Sequence, residues 1–316
     1  MSALTPIFGA VVGARNRLYD RGVLQTHRLA GPVISVGNIS VGGAGKTPFV
    51  ILLGELLKAR RIEFNILSRG YGRKTSGVLL VNPQGTPAEF GDEPVLIARK
   101  LGVPVIVGED RYAAGKFAEQ RFGPVLHLLD DGFQHRRLAR DYDIVLLTPD
   151  DAHDRLLPAG RLREPLSSLA RADAVVLTPG TSPEDIPLEN KLVMRVARGL
   201  ALGESPKRPL AFCAIARPER FLSQLREAGV EIAGERCFRD HHAYREQDVD
   251  LLRSTAAEQG AGGFVTTEKD AVNLGQLAAR LQPLAIVAAT MSLENADATI
   301  DRVLATVAER HSRNAG

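Results

Sequence analysis

The sequence predicts an α/β protein: a P-loop nucleotide-binding domain on a parallel sheet, a short extended linker, and a second, smaller α/β domain. Three observations carry this expectation. Apolar runs without polar alternation recur between helix-like segments, the pattern of parallel strands covered on both faces. The stretch "GNISVGGAGKTP" (37–48) joins one such run to a helix-like segment, as phosphate-binding turns do. The alternation slackens after Pro179 and resumes with "PLAFCAIARPERF" from Pro209.

Composition agrees with two modest cores, since 316 residues with 44% hydrophobic content exceed what one small domain needs. Forty basic against 37 acidic residues leave a charge of +3, too weak to imply a nucleic-acid partner. Cys213 and Cys237 have no CxxC partner, which argues against a zinc site or a disulfide framework and reads as two core thiols.

At the N-terminus, "LTPIFGAVVGARNRLYDRG" is too short in apolar residues to span a bilayer and lacks the marks of a signal peptide. Ile7, Phe8, Val11, Val12 and Leu18 fall on one helical face, with Arg15, Arg17 and Arg21 toward its end. Two readings stay open: an interfacial membrane helix, or a helix packed on its own domain. Strands are expected in "GPVISVGN", "IEFNILSRG", "VPVIVG", "GPVLHLLDD", "YDIVLLTP" and "ADAVVLTP", and helices in "PFVILLGELLKARR" and "DEPVLIARKLG". "KLVMRVARGLALGESPKRP" reads as two short extended pieces, so the divisions are 1–185, a linker at 186–207, and 208–316. "GFVTTEKDAVNL" and "PLAIVAA" supply further α/β elements of the second domain.

Gly45, Lys46 and Thr47 form the GK[ST] end of a Walker A loop, in which Gly42, Gly43, Ala44 and Gly45 wrap phosphate with their N–H groups. Lys46 reaches the β- and γ-phosphates and the Thr47 hydroxyl ligates Mg²⁺. Ser40 stands where GxxxxGK[ST] has its first glycine. Val41 replaces the signature lysine of partitioning-type ATPases, and no NKxD element for guanine is present. Asp130 and Asp131 close an apolar run, where carboxylates would face the nucleotide crevice and hold the metal; paired acids at a strand end are also ordinary turn formers.

With these residues in view, the chain resembles the tetraacyldisaccharide 4'-kinase (lipid A 4'-kinase) family. "GNISVGGAGKTP", "LSRGYGR", "GDEP", "GEDRY", "LDDGFQH", "LLPAGRLREP", "FRDHHAY" and "TTEKDAV" occur in order over nearly the whole length. The resemblance implies ATP with Mg²⁺, phosphorylation of the 4'-hydroxyl of a membrane-embedded acylated disaccharide 1-phosphate, and a peripheral place on the cytoplasmic face of the inner membrane. It also implies that Asp92 of "GDEP" takes the hydroxyl proton while His241 of "RDHH" orients or tunes it; read alone, Asp92 equally suits a helix cap. Arg69, Arg73, Arg111, His135 and Arg163 become candidates for the substrate's anionic groups, and Glu164 for the metal's outer shell. Lys269 reads equally as a salt-bridge residue at a helix start and receives no role. The alternative function is a P-loop ATPase or GTPase switch acting on a protein partner.

Overall fold

The computed structural model describes residues 4–315. Along the chain, α1 (Leu4–Asp20) precedes β1 (Val33–Asn38), α2 (Lys46–Ala59), β2 (Phe64–Ser68), β3 (Leu79–Leu80), α3 (Pro87–Phe90) and α4 (Asp92–Leu101). Then come β4 (Val105–Val107), α5 (Arg111–Phe122), β5 (Leu126–Asp130), β6 (Tyr142–Leu147), β7 (Ala174–Leu177) and β8 (Leu192–Ala201). The last third holds β9 (Leu210–Cys213), α6 (Pro218–Glu227), β10 (Gly234–Cys237), α7 (Glu246–Glu258), β11 (Phe264–Thr267), α8 (Glu268–Leu274), β12 (Leu284–Leu293) and α9 (Ala296–Ala315).

Among the described residues the strands form one sheet in the order β10-β9-β11-β12-β8-β7-β6-β1-β5-β2-β4-β3. Every pairing is parallel except β8 with β12 and β3 with β4. The expected continuous apolar strands are there: every residue of β1, β2, β5, β6 and β7 is buried. Helices α2, α4 and α9 cover one face, where Phe49, Leu53, Ile97 and Ile300 join Ile34, Ile66 and Ile144 in one apolar cluster. On the last third, Leu210, Phe212 and Leu252 form a cluster on one face, and Cys213, Phe221 and Leu225 one on the other.

Two expectations change. The segment expected as two extended pieces is one ten-residue strand, because its first half pairs in parallel with β7 and its second half antiparallel with β12. Of the two thiols, Cys213 is buried and Cys237 is exposed, side by side on β9 and β10.

The N-terminal apolar residues divide between two faces of α1. Phe8 and Val12 are half-buried on the docked side, where Gly9 meets Leu156 and Asn16 donates to Glu164 at 2.8 Å. Arg136 from the main body caps this contact, donating to the Asn16 carbonyl and lying over the Tyr19 ring. Ile7, Val11 and Leu18, at spacings that align along a helix, remain exposed on the other side. No helix of the described residues is long and apolar enough to cross a membrane.

Candidate active site

The carboxyl end of β1 meets the glycine-rich turn, and the turn runs into α2. Residues Gly42, Gly43 and Gly45 all take positive φ, 79°, 29° and 87°, which side chains other than glycine resist. Gly45 caps α2, so Lys46 and Thr47 open the helix with their N–H groups unspent. This bare helix end, with its partial positive charge, is a cradle for phosphate. Ser40 replaces the first glycine without a positive φ, and the "GRLRE" segment braces it: Ser40 bridges Leu162, and the Val41 N–H donates to the Arg161 carbonyl. Gly37 is needed for another reason. A Cβ there would lie 2.6 Å from the Phe133 Cβ, where the "DDGF" turn crosses the strand.

The acidic pair divides its work. Asp131, at φ 50°, turns outward, and both its oxygens are taken by the Arg163 fork at 2.8 and 3.0 Å. Lys46 stands 3.5 Å from Asp131 and donates to the Asn38 Oδ1 at 3.1 Å, so the P-loop lysine is parked between two acceptors. Burial works against the charge on Asp131, but Lys46 and Arg163 overcome it and hold the carboxyl well below its usual range. Asp130 is buried, takes one hydrogen bond from the Ser68 hydroxyl at 2.9 Å, and leaves Oδ1 without a partner. Burial, reinforced by Glu93 and Asp131, pushes its pKa up to about 7. A buried carboxylate with an unused oxygen, which feels the Lys46 charge but makes no ion pair, is a ready cation ligand. The described residues contain no cluster of three His, Cys, Asp or Glu side chains able to hold a metal; Mg²⁺ bound chiefly through phosphates, water and one or two protein oxygens requires none.

Across the cleft, Asp92 opens α4 and is buried. Its oxygens accept from His241 Nδ1 at 2.9 and 3.1 Å and from the Asn273 amide at 3.0 Å, and Lys269 Nζ stands 3.8 Å away. Burial raises the Asp92 pKa, yet the His241 bond, the Lys269 charge and Asn273 together hold it below the ordinary value. His241 adopts φ 59°, a left-handed conformation costly for a residue with a side chain. Its N–H bonded to the Ala214 carbonyl and its ring against Tyr71, at 5.0 Å between centroids, hold it there.

Both groups of residues line one cleft of about 630 Å³ between the P-loop half of the sheet and its last third. Arg198 of β8 and Arg217, just before α6, also face the P-loop: Arg198 donates to the Ala44 carbonyl, and Arg217 carbons lie 3.1 Å from where a Gly43 side chain would be. Burial, followed by the nearby Arg220 and Arg217 charges, pushes Arg198 down to about 10.

The remaining candidates separate. Arg69 and Arg163 line the cleft; Arg73, Arg111, His135 and Glu164 do not. The Arg73 guanidinium ties its loop to the turn after β4, donating to the Gly77 carbonyl and pairing with Glu109. Glu164 receives Arg171 and Asn16, both at 2.8 Å, and so ties α1 to the main body. Arg111 is buried close enough to feel Asp131 and Asp130, with burial lowering its pKa on balance. Burial and then Arg111 push His135 down to about 4, leaving it neutral. The sequence does not single out Asn273, Asn38, Ser68 or Arg198, and it leaves Lys269 as a salt-bridge residue with no role. Only the "TTEKDAV" motif signalled Lys269, and nothing local distinguished it from a surface lysine.

A glycine-rich turn at a helix start, an acidic pair at the adjoining strand end, and a carboxylate–imidazole pair across the same cleft define a P-loop protein equipped for proton and phosphate chemistry. The family model described as tetraacyldisaccharide-1-P 4'-kinase matches residues 1–308, and the chain belongs to that family. Among its relatives, the tetraacyldisaccharide 4'-kinase of Koribacter versatilis is 52% identical over 98% of this chain and 99% of its own length. That of Geobacter metallireducens is 38% identical over 96% and 97%. The crystal structure of LpxK from Aquifex aeolicus in complex with ATP superposes with a TM-score of 0.76 at 36% identity, over 95% of this chain and 97% of that one.

Proposed function

We propose that this protein transfers the terminal phosphoryl group of ATP to the 4'-hydroxyl of a tetraacyldisaccharide 1-phosphate, at the cytoplasmic face of the inner membrane. The observation that carries the reading is the Asp92–His241 pair opposite the P-loop in one cleft, since a kinase needs an acceptor for the hydroxyl proton on the far side of the phosphate cradle. ATP with Mg²⁺ supplies the phosphoryl donor and neutralises charge on it. The glycine turn and the N-terminus of α2 would hold the phosphates, with Thr47 and Asp130 holding the metal and Asp131 keeping Lys46 and Arg163 in register.

On this reading Asp92, ionised at neutral pH, accepts the proton of the sugar hydroxyl, and the His241 Nδ1–H bond fixes the direction of its lone pairs. Lys46 leaves Asn38 to follow the charge developing on the transferred group. Arg69 is the candidate for the substrate's own phosphate. The division into 1–185, a linker at 186–207 and 208–316 belongs to this proposal, supported by the cluster of Leu210, Phe212 and Leu252 within the last third, while Ile300 of α9 packs back into the P-loop core.

Membrane association belongs to the same reading. An acyl chain leaves the bilayer at a cost of about 0.8 kcal/mol per CH₂, so the protein must go to its lipid. The exposed Ile7, Val11 and Leu18 supply an apolar edge, and the exposed Arg17 and Arg21 lie at the same end of the chain. The test is a kinase assay with radiolabelled ATP and the disaccharide 1-phosphate lipid in detergent micelles. A labelled lipid product dependent on Mg²⁺ is expected; ATP hydrolysis with no labelled lipid refutes the reading in favour of an ATPase.

A further inference from the structure

Lys269, at the first turn of α8, stands among more charged groups than a surface lysine meets. Its ammonium lies 3.4 Å from Glu93 Oε1, 3.4 Å from Asp240 Oδ1, 3.8 Å from Asp92 Oδ2 and 3.3 Å from His241 Nε2. The last contact is informative because of what each nitrogen can do. An ionised carboxylate only accepts, so Asp92 at 2.9 Å requires a proton on His241 Nδ1. A lysine ammonium only donates, so a nitrogen facing it at hydrogen-bond distance must present a lone pair. Asp240 Oδ2, the one acceptor competing for a proton on Nε2, is farther off at 3.8 Å.

We propose that Lys269 is a positioning residue that keeps His241 Nε2 bare, so that the ring stands as the neutral Nδ1–H tautomer against Asp92. The ring is then bonded on both sides, donating to α4 and accepting from α8. The charged groups at the ring are Asp92 from α4, Lys269 from α8 and Asp240 from its own loop, with Glu93 of α4 paired to Lys269; Tyr71 supplies the ring face. Burial disfavours the imidazolium, the Asp92 bond favours it, Lys269 disfavours it and Asp240 favours it, with the balance above the ordinary imidazole value. Among the described side chains acting on the ring, Lys269 opposes the proton that the carboxylates invite. The functional consequence rests on the reading of Asp92 as base: a second proton on the ring would draw the Asp92 electron pair toward an imidazolium and leave it less able to accept the hydroxyl proton.

The experiment is long-range ¹H–¹⁵N correlation of the full chain labelled in its histidines, with His241→Ala assigning the signal, followed across pH. On the alkaline side of the titration the wild-type ring is expected to show a protonated Nδ1 and a bare Nε2. Lys269→Met should raise the Nε2 titration by about one pH unit or more, with Lys269→Arg, which keeps a cationic donor, closer to wild type. The acid limb of kcat/KM should move upward in Lys269→Met by the same amount, with little change in KM for ATP. A wild-type ring protonated at Nε2 above its titration overturns the proposal even if no variant folds. An unchanged titration in folded Lys269→Met overturns it as well. If the titration moves but the acid limb stays, Lys269 governs the ring and it is the role of Asp92 that fails.

Discussion

Replacing both Ile7 and Val11 with aspartate tests how the protein reaches a lipid. These side chains are 60% and 62% exposed on the face of α1 turned away from the body. Fully burying an aliphatic side chain of this kind is worth about 1.5–3 kcal/mol, so the exposed portion leaves roughly 1–2 kcal/mol each for insertion at a bilayer surface. The pair thus contributes about 2–4 kcal/mol, and two carboxylates near an anionic surface cost about 1 kcal/mol apiece. The sum, about 4–6 kcal/mol, corresponds to a fall of roughly 10³- to 10⁴-fold in vesicle partitioning. Co-sedimentation with phosphatidylglycerol vesicles measures it, and apparent KM for micellar lipid should rise while ATP affinity, read by calorimetry, stays put. Phe8→Asp is expected to act differently: Phe8 is half-buried on the docked side, so this variant should lower the melting temperature first. Unchanged partitioning of a folded Ile7→Asp/Val11→Asp protein would refute this account and move membrane access to another surface.

Other expected outcomes concern the cleft. Lys46→Ala should lower kcat by about 10²-fold or more, because the charge opposite the transferred phosphoryl disappears; near-normal turnover removes the P-loop from the reaction. Asp92→Asn and His241→Ala should each depress kcat far more than ATP affinity, and the double variant should cost less than the product of the singles, since the two act as one bonded unit. Asp130→Asn should raise the Mg²⁺ requirement. It should also change how stability depends on pH. With the folded pKa raised to about 7, the unpaired Asp130 charge destabilises the metal-free protein increasingly as pH climbs from the unfolded carboxyl value through about 7. Relief by Asn is therefore expected at pH above about 7, on the order of a few kcal/mol, and should vanish toward pH of about 4. Thermal melts of both proteins at the two ends check this, and an equal difference at both ends refutes it.

How far the sequence spoke differs from residue to residue. Local pattern sufficed for the apolar strands and for the turn around Gly45, since burial on two faces and a helix start after glycines are written in adjacent positions. Asp92 and His241, 149 positions apart, come together only through the sheet, and it was family resemblance rather than spacing that paired them. Lys269 and Asn273 look like ordinary helix residues until α8 packs on α4. Strand β8 is hard to recognise in the sequence because glycine and alternating polar residues suit a linker; its first half has an apolar partner in β7, but its second half is half-covered and leans on pairing with β12. The helical period of α1 gave its apolar residues correctly but could not tell the docked side from the exposed one, which depends on Asn16, Glu164 and Arg136 meeting across more than a hundred residues.

Strand β8 also governs what would happen were the chain cut. It lends one end to β7 and the other to β12, hiding the backbone donors and acceptors of both. Severed before residue 192, the first part would present β7, four buried aliphatic and alanine residues, as a raw edge. Severed after residue 201, the last part would do the same with β12. Raw apolar edges recruit other strands, those of neighbouring molecules included. The join between the two halves is therefore protection against self-association as much as connection, and a protease nick there would endanger solubility before it touched any group in the cleft.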